Sequence, residues 1–347
     1  MREIREDIVN WESAGQQFAL ARVIQTWGSS PRQVGAAMII GPDMAVSGSV
    51  SGGCIEGAVI TEAEGVLADG VPRKLHYGVS DETAWSVGLT CGGEVSVFVE
   101  KHLGQAGGGS AEVWEALRAR LEANLPAVLL TRLASWEQPH LLIDPQVAAI
   151  VAGDWGAAAG EALAAATSAF STRESEVVTI ADESVFVHVF PCKDRLLIVG
   201  ASHISIPLVR LAKVLGLETV VVDPREVFAR RERFPEPPDQ LERVWPAKFF
   251  ESWTIDEGTY AVLLTHDPKI DDEALHHLLR SPAAYIGALG GRRSQQSRAT
   301  RMREAGFTDD EVARIHGPVG LDIGAESPEE IALSILAEVV AIRRNAG

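Results

Sequence analysis

Residues 196–223 read LLIVGASHISIPLVRLAKVLGLETVVVD, and this stretch decides the fold of the chain's second half. Leu196-Leu-Ile-Val-Gly200 is a continuous apolar run, as in a strand buried on both faces. Helical spacing follows over 204–215, and then a second such run, Thr219-Val-Val-Val-Asp223. After a polar, proline-broken stretch at 224–240, the pattern returns as strand 260–265, helix 271–280, strand 284–289 and helix 292–305. Buried strands alternating with helices predict a parallel, doubly wound α/β sheet. Its strand ends at Gly200, Asp223, Thr265 and Leu289 should line one crevice. Ser327-Pro328-Glu329-Glu330 opens a last helix with an N-cap Ser, Pro at the first helical position and Glu three residues after the cap.

Working outward, the pattern changes at Pro191–Arg195. Upstream, a short helix over 1–13 precedes an alternating strand at 18–26 and a hairpin turning at Gly41-Pro42-Asp43. A helix begins at Ile55, and Glu94–Glu100 alternates as a strand. Then come a helix over 110–123, short strands at 127–132 and 139–143, an alanine-rich helix at 156–170 and a strand at 185–190. The expectation is an α+β domain at 1–192 followed by a Rossmann-like domain at 193–347. No internal repeat is legible.

The 347 residues carry 48 Asp+Glu against 31 Lys+Arg, a net charge of −17. Residues 1–192 hold 24 acidic and 11 basic side chains, and residues 193–347 hold 24 and 20. So acidic a chain repels phosphate backbones, which argues against a nucleic-acid partner. Three cysteines, Cys54, Cys91 and Cys192, are too few and too scattered for a disulfide scaffold, and no pair has zinc-finger spacing. The opening Met1-Arg-Glu-Ile-Arg-Glu-Asp7 is no signal peptide. The apolar stretch 147–170 contains Asp154 and Glu161, which argues against a membrane span. A soluble, cytoplasmic protein is expected.

Chemistry concentrates in glycine-rich turns. Ser47-Gly-Ser-Val-Ser51-Gly52-Gly53-Cys54-Ile-Glu56 leads from a strand into a helix. Unpaired N–H groups and the helix dipole favour an anion there, and the same field favours a thiolate. Cys54 is thus either a reactive, cofactor-facing thiol or a small hydrophobe in a tight turn, and these residues alone do not choose. Cys91-Gly92-Gly93 precedes the strand at 94, and two such cysteines could converge on one ligand. Cys192 is incidental. Trp27-Gly28-Ser29-Ser30-Pro31-Arg32 follows the first strand and offers a forked donor, Arg32, to an anionic group, or is a surface turn.

In the second half, Gly200-Ala-Ser-His203 stands at the dinucleotide turn with only the first glycine of Gly-x-Gly-x-x-Gly. Asp223 sits where a ribose-binding acid would. His266 and Asp267 follow a strand end, where they could orient a ligand or, for Asp267, cap the next helix. Gly290-Gly291-Arg292-Arg293 suits phosphate. Arg298, Arg301 and Arg303 can be read as the solvated face of that helix.

Together, GSSPRQVGAAMII, GSVSGGCIEGAV and LTCGGEVSVFVE in the first half resemble the XdhC/CoxI family. So do LLIVGASHIS, VVVDPRE, LLTHDPKIDDEAL, YIGALGGRR and IHGPVGLDIGAESPEEIALSILAEVVAIRR in the second. These are accessory proteins of molybdenum hydroxylases such as xanthine dehydrogenase and CO dehydrogenase. The resemblance implies binding of the molybdenum cofactor, as molybdopterin or its cytosine dinucleotide, protection of its sulfurated form and delivery to an apo molybdenum hydroxylase. It implies a homodimeric chaperone rather than an enzyme, with a cysteine desulfurase as a further partner. Cys54 and Cys91 match the family's candidate cofactor-contacting thiols, and would meet a metal through the cofactor. The turn at Gly200, the Asp223-Pro-Arg225 stretch and Gly290-Gly-Arg292 depart from the family's Gly-x-Gly-His, Asp-Asp-Arg and Gly-Ser-Arg-Arg. Two other classes stand beside this one. The Rossmann-like half suggests an oxidoreductase binding NAD(P). Cys54 as a persulfide carrier suggests a sulfur-transfer enzyme.

Overall fold

Alternation in the segment FALARVIQT builds a strand with two buried faces. In β1 (Ala19–Trp27), Ala19, Ala21 and Val23 turn to one side and Leu20, Arg22 and Ile24 to the other. In the computed structural model, which describes residues 1, 3–28, 30–78, 93–105, 110–134 and 138–345, the chain divides into two compact units, Met1–Pro191 and Cys192–Gly347.

In the first unit, β1 is central to an antiparallel sheet with β2 (Ala37–Ile40), β3 (Val46–Gly48), β4 (Arg73–Tyr77) and β5 (Glu94–Lys101), in the order β3-β2-β1-β5-β4. Helix α1 (Arg5–Ser13) precedes it, and α2 (Glu56–Asp69) lays Val59, Ala63 and Val66 on the Ala19–Val23 face. After α3 (Ala111–Glu122) come β6 (Ala127–Arg132), β7 (His140–Asp144), β8 (Ala149–Ala152), α4 (Ala159–Thr172), β9 (Glu176–Ile180) and β10 (Glu183–Phe190). Their order is β8-β7-β6-β10-β9. Among the described residues the halves therefore match element for element: three strands, a helix and two strands, arranged in the same spatial order. The unit is a structural duplication, although no repeat is legible in the sequence.

The two sheets face each other. Phe18, Leu20 and Ile39 meet Leu129, Leu142 and Phe190 around Trp114, while α4 covers the far face of the second sheet with Ala162, Ala166 and Ala169. One buried ionic cluster sits in this interior. Arg22 is fully buried, pairs with Glu100 and donates to Thr131 Oγ1 at 3.0 Å. Glu100 also meets His140 Nε2 at 3.1 Å. Burial alone would raise the Glu100 carboxyl, but its contacts with His140 and Arg22 bring it below the ordinary range.

The second unit is the expected parallel sheet. β11 (Arg195–Val199), β12 (Glu218–Val222), β13 (Gln240–Glu242), β14 (Thr259–Leu263), β15 (Tyr285–Ala288) and β16 (Ile315–His316) lie in the order β13-β12-β11-β14-β15-β16. Helices α5 (Ser205–Val214) and α10 (Pro328–Asn345) pack on one face through Leu208, Val209, Ile335 and Val339. Helices α7 (Pro268–Leu278) and α8 (Arg292–Glu304) cover the other, through Ile270, Leu275 and Met302. Short α6 (Pro246–Phe250) and α9 (Asp309–Ala313) complete the unit. In the order of their appearance these strands run 3-2-1-4-5-6, the doubly wound arrangement in which ligands bind beyond the carboxyl ends where the order reverses. The ends of β12, β11, β14 and β15 are contiguous there, as expected. Gly200 N donates to Val222 O, Leu264 N to Val199 O and Leu289 N to Leu263 O.

Candidate functional site

The first unit gathers its glycine-rich motifs at one end of the first sheet. β1 ends at Trp27, which pairs with Glu94, the first residue of β5. Gly28 and the buried Gly93 therefore adjoin across that pair. The Ser47–Glu56 loop reaches the same end: a Cβ on Gly52 would lie 3.7 Å from Pro31 Cβ. Ser29, Cys91 and Gly92 lie outside the described residues. Trp27, which the sequence reading did not single out, is 68% exposed at this edge.

Glu56 organises the loop. Its Oε1 accepts from Ser49 Oγ at 2.7 Å, Val50 N at 3.2 Å and Ser51 N at 2.8 Å. Its Oε2 accepts from Ser51 Oγ and from Gly53 N at 2.9 Å. Buried Ser51 Oγ in turn accepts from Cys54 N at 3.1 Å and Ile55 N at 3.0 Å, and Ser49 Oγ takes Gly52 N at 2.9 Å. Burial works to raise the Glu56 carboxyl, but these bonds, from Ser51 and Ser49 foremost, carry it down to about 2.

The expected anion cradle is therefore corrected. The N–H groups are not unpaired, because the chain supplies its own anion in Glu56, which binds the loop rather than a ligand. Gly52 and Gly53 take φ of +76° and +115°, backbone that suits glycine. What the loop presents is Cys54, a free, half-buried thiol just ahead of α2. A soft sulfur on a pre-formed turn fits a thiolate-compatible metal centre. Arg32 is held by Glu3 at 2.7 Å, and that contact depresses the Glu3 carboxyl. Among the described residues, no cluster of three or more His, Cys, Asp or Glu is placed to hold a metal by itself.

In the second unit, Gly200 has φ +108°, and a Cβ there would come within 2.7 Å of Thr265 Cγ2 and 3.0 Å of Thr265 N. Only glycine fits this turn. Ser202 and Ser205 take the places of the other two glycines, and His203 is exposed beside them. Asp223 is put to a different use from the ribose contact expected of it. It is fully buried, and its oxygens accept from Ala201 N at 2.8 Å and from the Arg225 N–H and both arms of its guanidinium at 2.8–2.9 Å. Asp223 thus braces the glycine turn. Asp267 caps α7, accepting from Lys269 N at 3.0 Å, while exposed His266 takes φ +58° at the end of β14. Gly290, with φ +122°, lets the chain pass Ser294, and Arg292 opens α8 in solvent. Arg298 is corrected from a solvated position: it is buried, donating to Leu289 O at 3.0 Å beside Asp271.

A parallel 3-2-1-4-5-6 sheet following a unit with a cysteine-bearing glycine turn defines the class. The XdhC Rossmann domain profile matches residues 196–339, and that of the XdhC and CoxI family matches 11–78. The chain belongs to the XdhC and CoxI family. It is 25% identical over 329 residues to the uncharacterized protein YqeB of Escherichia coli, covering 95% of this chain but 44% of that one. It thus spans less than half of YqeB. It is 26% identical to a probable xanthine dehydrogenase subunit of Bacillus subtilis, covering 95% of this chain and 94% of that protein. It is 27% identical to the molybdenum cofactor insertion chaperone PaoD of Escherichia coli, covering 95% of this chain and 85% of PaoD. A crystal structure of a Bacillus halodurans protein, described as a xanthine dehydrogenase, matches with a TM-score of 0.75 at 28% identity, over 98% of this chain and 96% of that one.

Proposed function

We propose that this chain binds the molybdenum cofactor, shields its sulfurated form and hands it to an apo molybdenum hydroxylase of the xanthine dehydrogenase or CO dehydrogenase type. The observation that carries the reading is the meeting of Gly28, Gly93 and the Ser47–Glu56 loop at one end of the first sheet, where that braced loop offers Cys54. The names of PaoD and of the Bacillus subtilis relative support the same direction. When bound, the cofactor supplies a soft molybdenum centre. In this reading Cys54 provides a compatible sulfur, Glu56 and Ser51 fix its position without reorganising, and Trp27 offers a flat apolar surface to a heterocycle. A homodimer and sulfur supply by a cysteine desulfurase belong to the same proposal, as does a cytoplasmic site of action. No helix among the described residues is long and apolar enough to cross a membrane.

The rival oxidoreductase reading has less support, because the acid that would take a ribose is closed by Arg225. The test is pterin and molybdenum bound per chain after gel filtration from cells making the cofactor. Cys54→Ser should lose retention with the fold intact, and Cys192→Ser should not. Equal retention in both variants and the native chain would remove Cys54 from the site.

A further inference from the structure

Helix α8 is built unlike a helix that only covers a sheet. Its sequence RRSQQSRATRMRE buries just Arg298 and Met302. Arg293, Ser294, Ser297, Arg298 and Arg301 recur at helical spacing and line a cavity of about 300 Å³. The opposite wall is His266 with Pro268 and Asp271 of α7, and Leu289 closes the floor at the end of β15. The cavity thus lies on the β14–β15 side of the sheet's carboxyl edge, apart from the Gly200 turn on β11.

Its charges are only partly spent. Arg301 is held by Asp272, with one contact at 2.9 Å. Arg298 is 4% exposed and stands 3.5 Å from Asp271, yet its Nε is buried with no partner. A buried donor without an acceptor is costly, and a ligand oxygen would relieve it. The exposed Arg293 guanidinium has no ion-pair partner among the described residues, and the hydroxyls of Ser294 and Ser297 are likewise uncommitted. No side chain caps the first turn of α8, which leaves its N–H groups open to an anion that the guanidinium forks would clasp.

We propose that this cavity is a binding site for a phosphate monoester, with Arg293, Ser294 and Ser297 as its mobile contacts and Arg298 as its fixed anchor. Three guanidinium groups against Asp271 and Asp272 leave a net positive site, suited to a compact dianion. The volume is at the lower end for small-molecule pockets and suits a phosphoryl group with part of its carrier. The site stands on the second unit's own residues and does not require the cofactor reading. The carrier could be a pterin with a phosphate ester or a nucleoside monophosphate, and both present the same group.

The experiment is calorimetric titration of the full chain with inorganic phosphate, a phosphorylated pterin and cytidine 5′-monophosphate, at constant ionic strength. Phosphate should bind and compete with whichever ester binds more tightly, and that ester names the carrier. Arg293→Gln should weaken phosphate about tenfold and Ser297→Ala by a smaller factor. Both side chains are exposed, so the fold should survive either change. Arg303→Gln, which removes the same charge from a residue paired with Asp309 and absent from the cavity lining, should leave the affinity unchanged. Phosphate that fails to bind, or binds equally to the native chain and to Arg293→Gln, overturns the assignment. Phosphate binding without pterin retention would leave this site standing and count against the cofactor reading instead.

Discussion

Replacing Glu56 by Gln keeps the size of the side chain but removes the charge that collects the Ser49–Gly53 donors. The Glu56 carboxyl is carried from an ordinary value of 4.5 down to about 2. At ~1.4 kcal/mol per pH unit, that depression is worth at most ~3.4 kcal/mol. The carboxylate is partly exposed, and solvent screening cuts this to ~2 kcal/mol. Because the folded value is depressed, the contribution is fully present above about pH 4.5 and is lost as pH falls through about 2. Glu56→Gln should therefore loosen the loop equally at pH 7 and pH 5, and the gap between variant and native chain should close only in stronger acid. Hydrogen exchange resolved to peptides over 47–57 reads this directly, and ~2 kcal/mol corresponds to exchange about thirtyfold faster in that segment alone. Alkylation of Cys54, followed on the same peptides, should accelerate in parallel. Exchange within twofold of the native chain at pH 7 would refute the view that Glu56 is the loop's internal anion.

Trp27→Ala should lower pterin retention while leaving thermal unfolding nearly unchanged, since this side chain is 68% exposed; unaltered retention would remove it from the site. Glu100→Gln should destabilise the first unit by ~3 kcal/mol, because it strands buried Arg22, whose Nε and Nη1 already lack partners. Urea unfolding followed by tryptophan fluorescence measures this, and a loss below ~1 kcal/mol would mean that water already serves Arg22.

The second unit was legible because strands buried on both faces leave unbroken apolar runs, and Leu196–Val199, Val220–Val222 and Tyr260–Leu263 have no other reading. Its edges were not: β13 and β16 have three and two residues, too short for any period. In the first unit the strongly alternating strands were visible, but β4 (RKLHY) is mostly polar and β8 is largely exposed, so the duplication they complete stayed hidden. The sequence gives no sign that Arg298 is buried, because α8 has almost no apolar residues to mark its inner face. The structural role of Glu56 does have a signal in the sequence. A carboxylate in the first turn of α2, three residues after Gly53, can take the very N–H groups an external anion would need. Trp27 could have been noticed as a large apolar side chain on the outward end of β1. What no local pattern reveals is that β1's end, the Ser47–Glu56 loop and the start of β5 meet, since that depends on strand pairing across some seventy residues.

Transfer of a bound cofactor from this chain to its acceptor is directly measurable. Cofactor-loaded protein, freed of unbound pterin, should be mixed with an apo molybdenum hydroxylase, and pterin, molybdenum and hydroxylase activity followed through gel filtration. Pterin and molybdenum should move together to the hydroxylase as its activity appears. A chain that carries no pterin, or a hydroxylase that stays inactive with the loaded chain while free cofactor at the same concentration restores it, would contradict delivery by this chain.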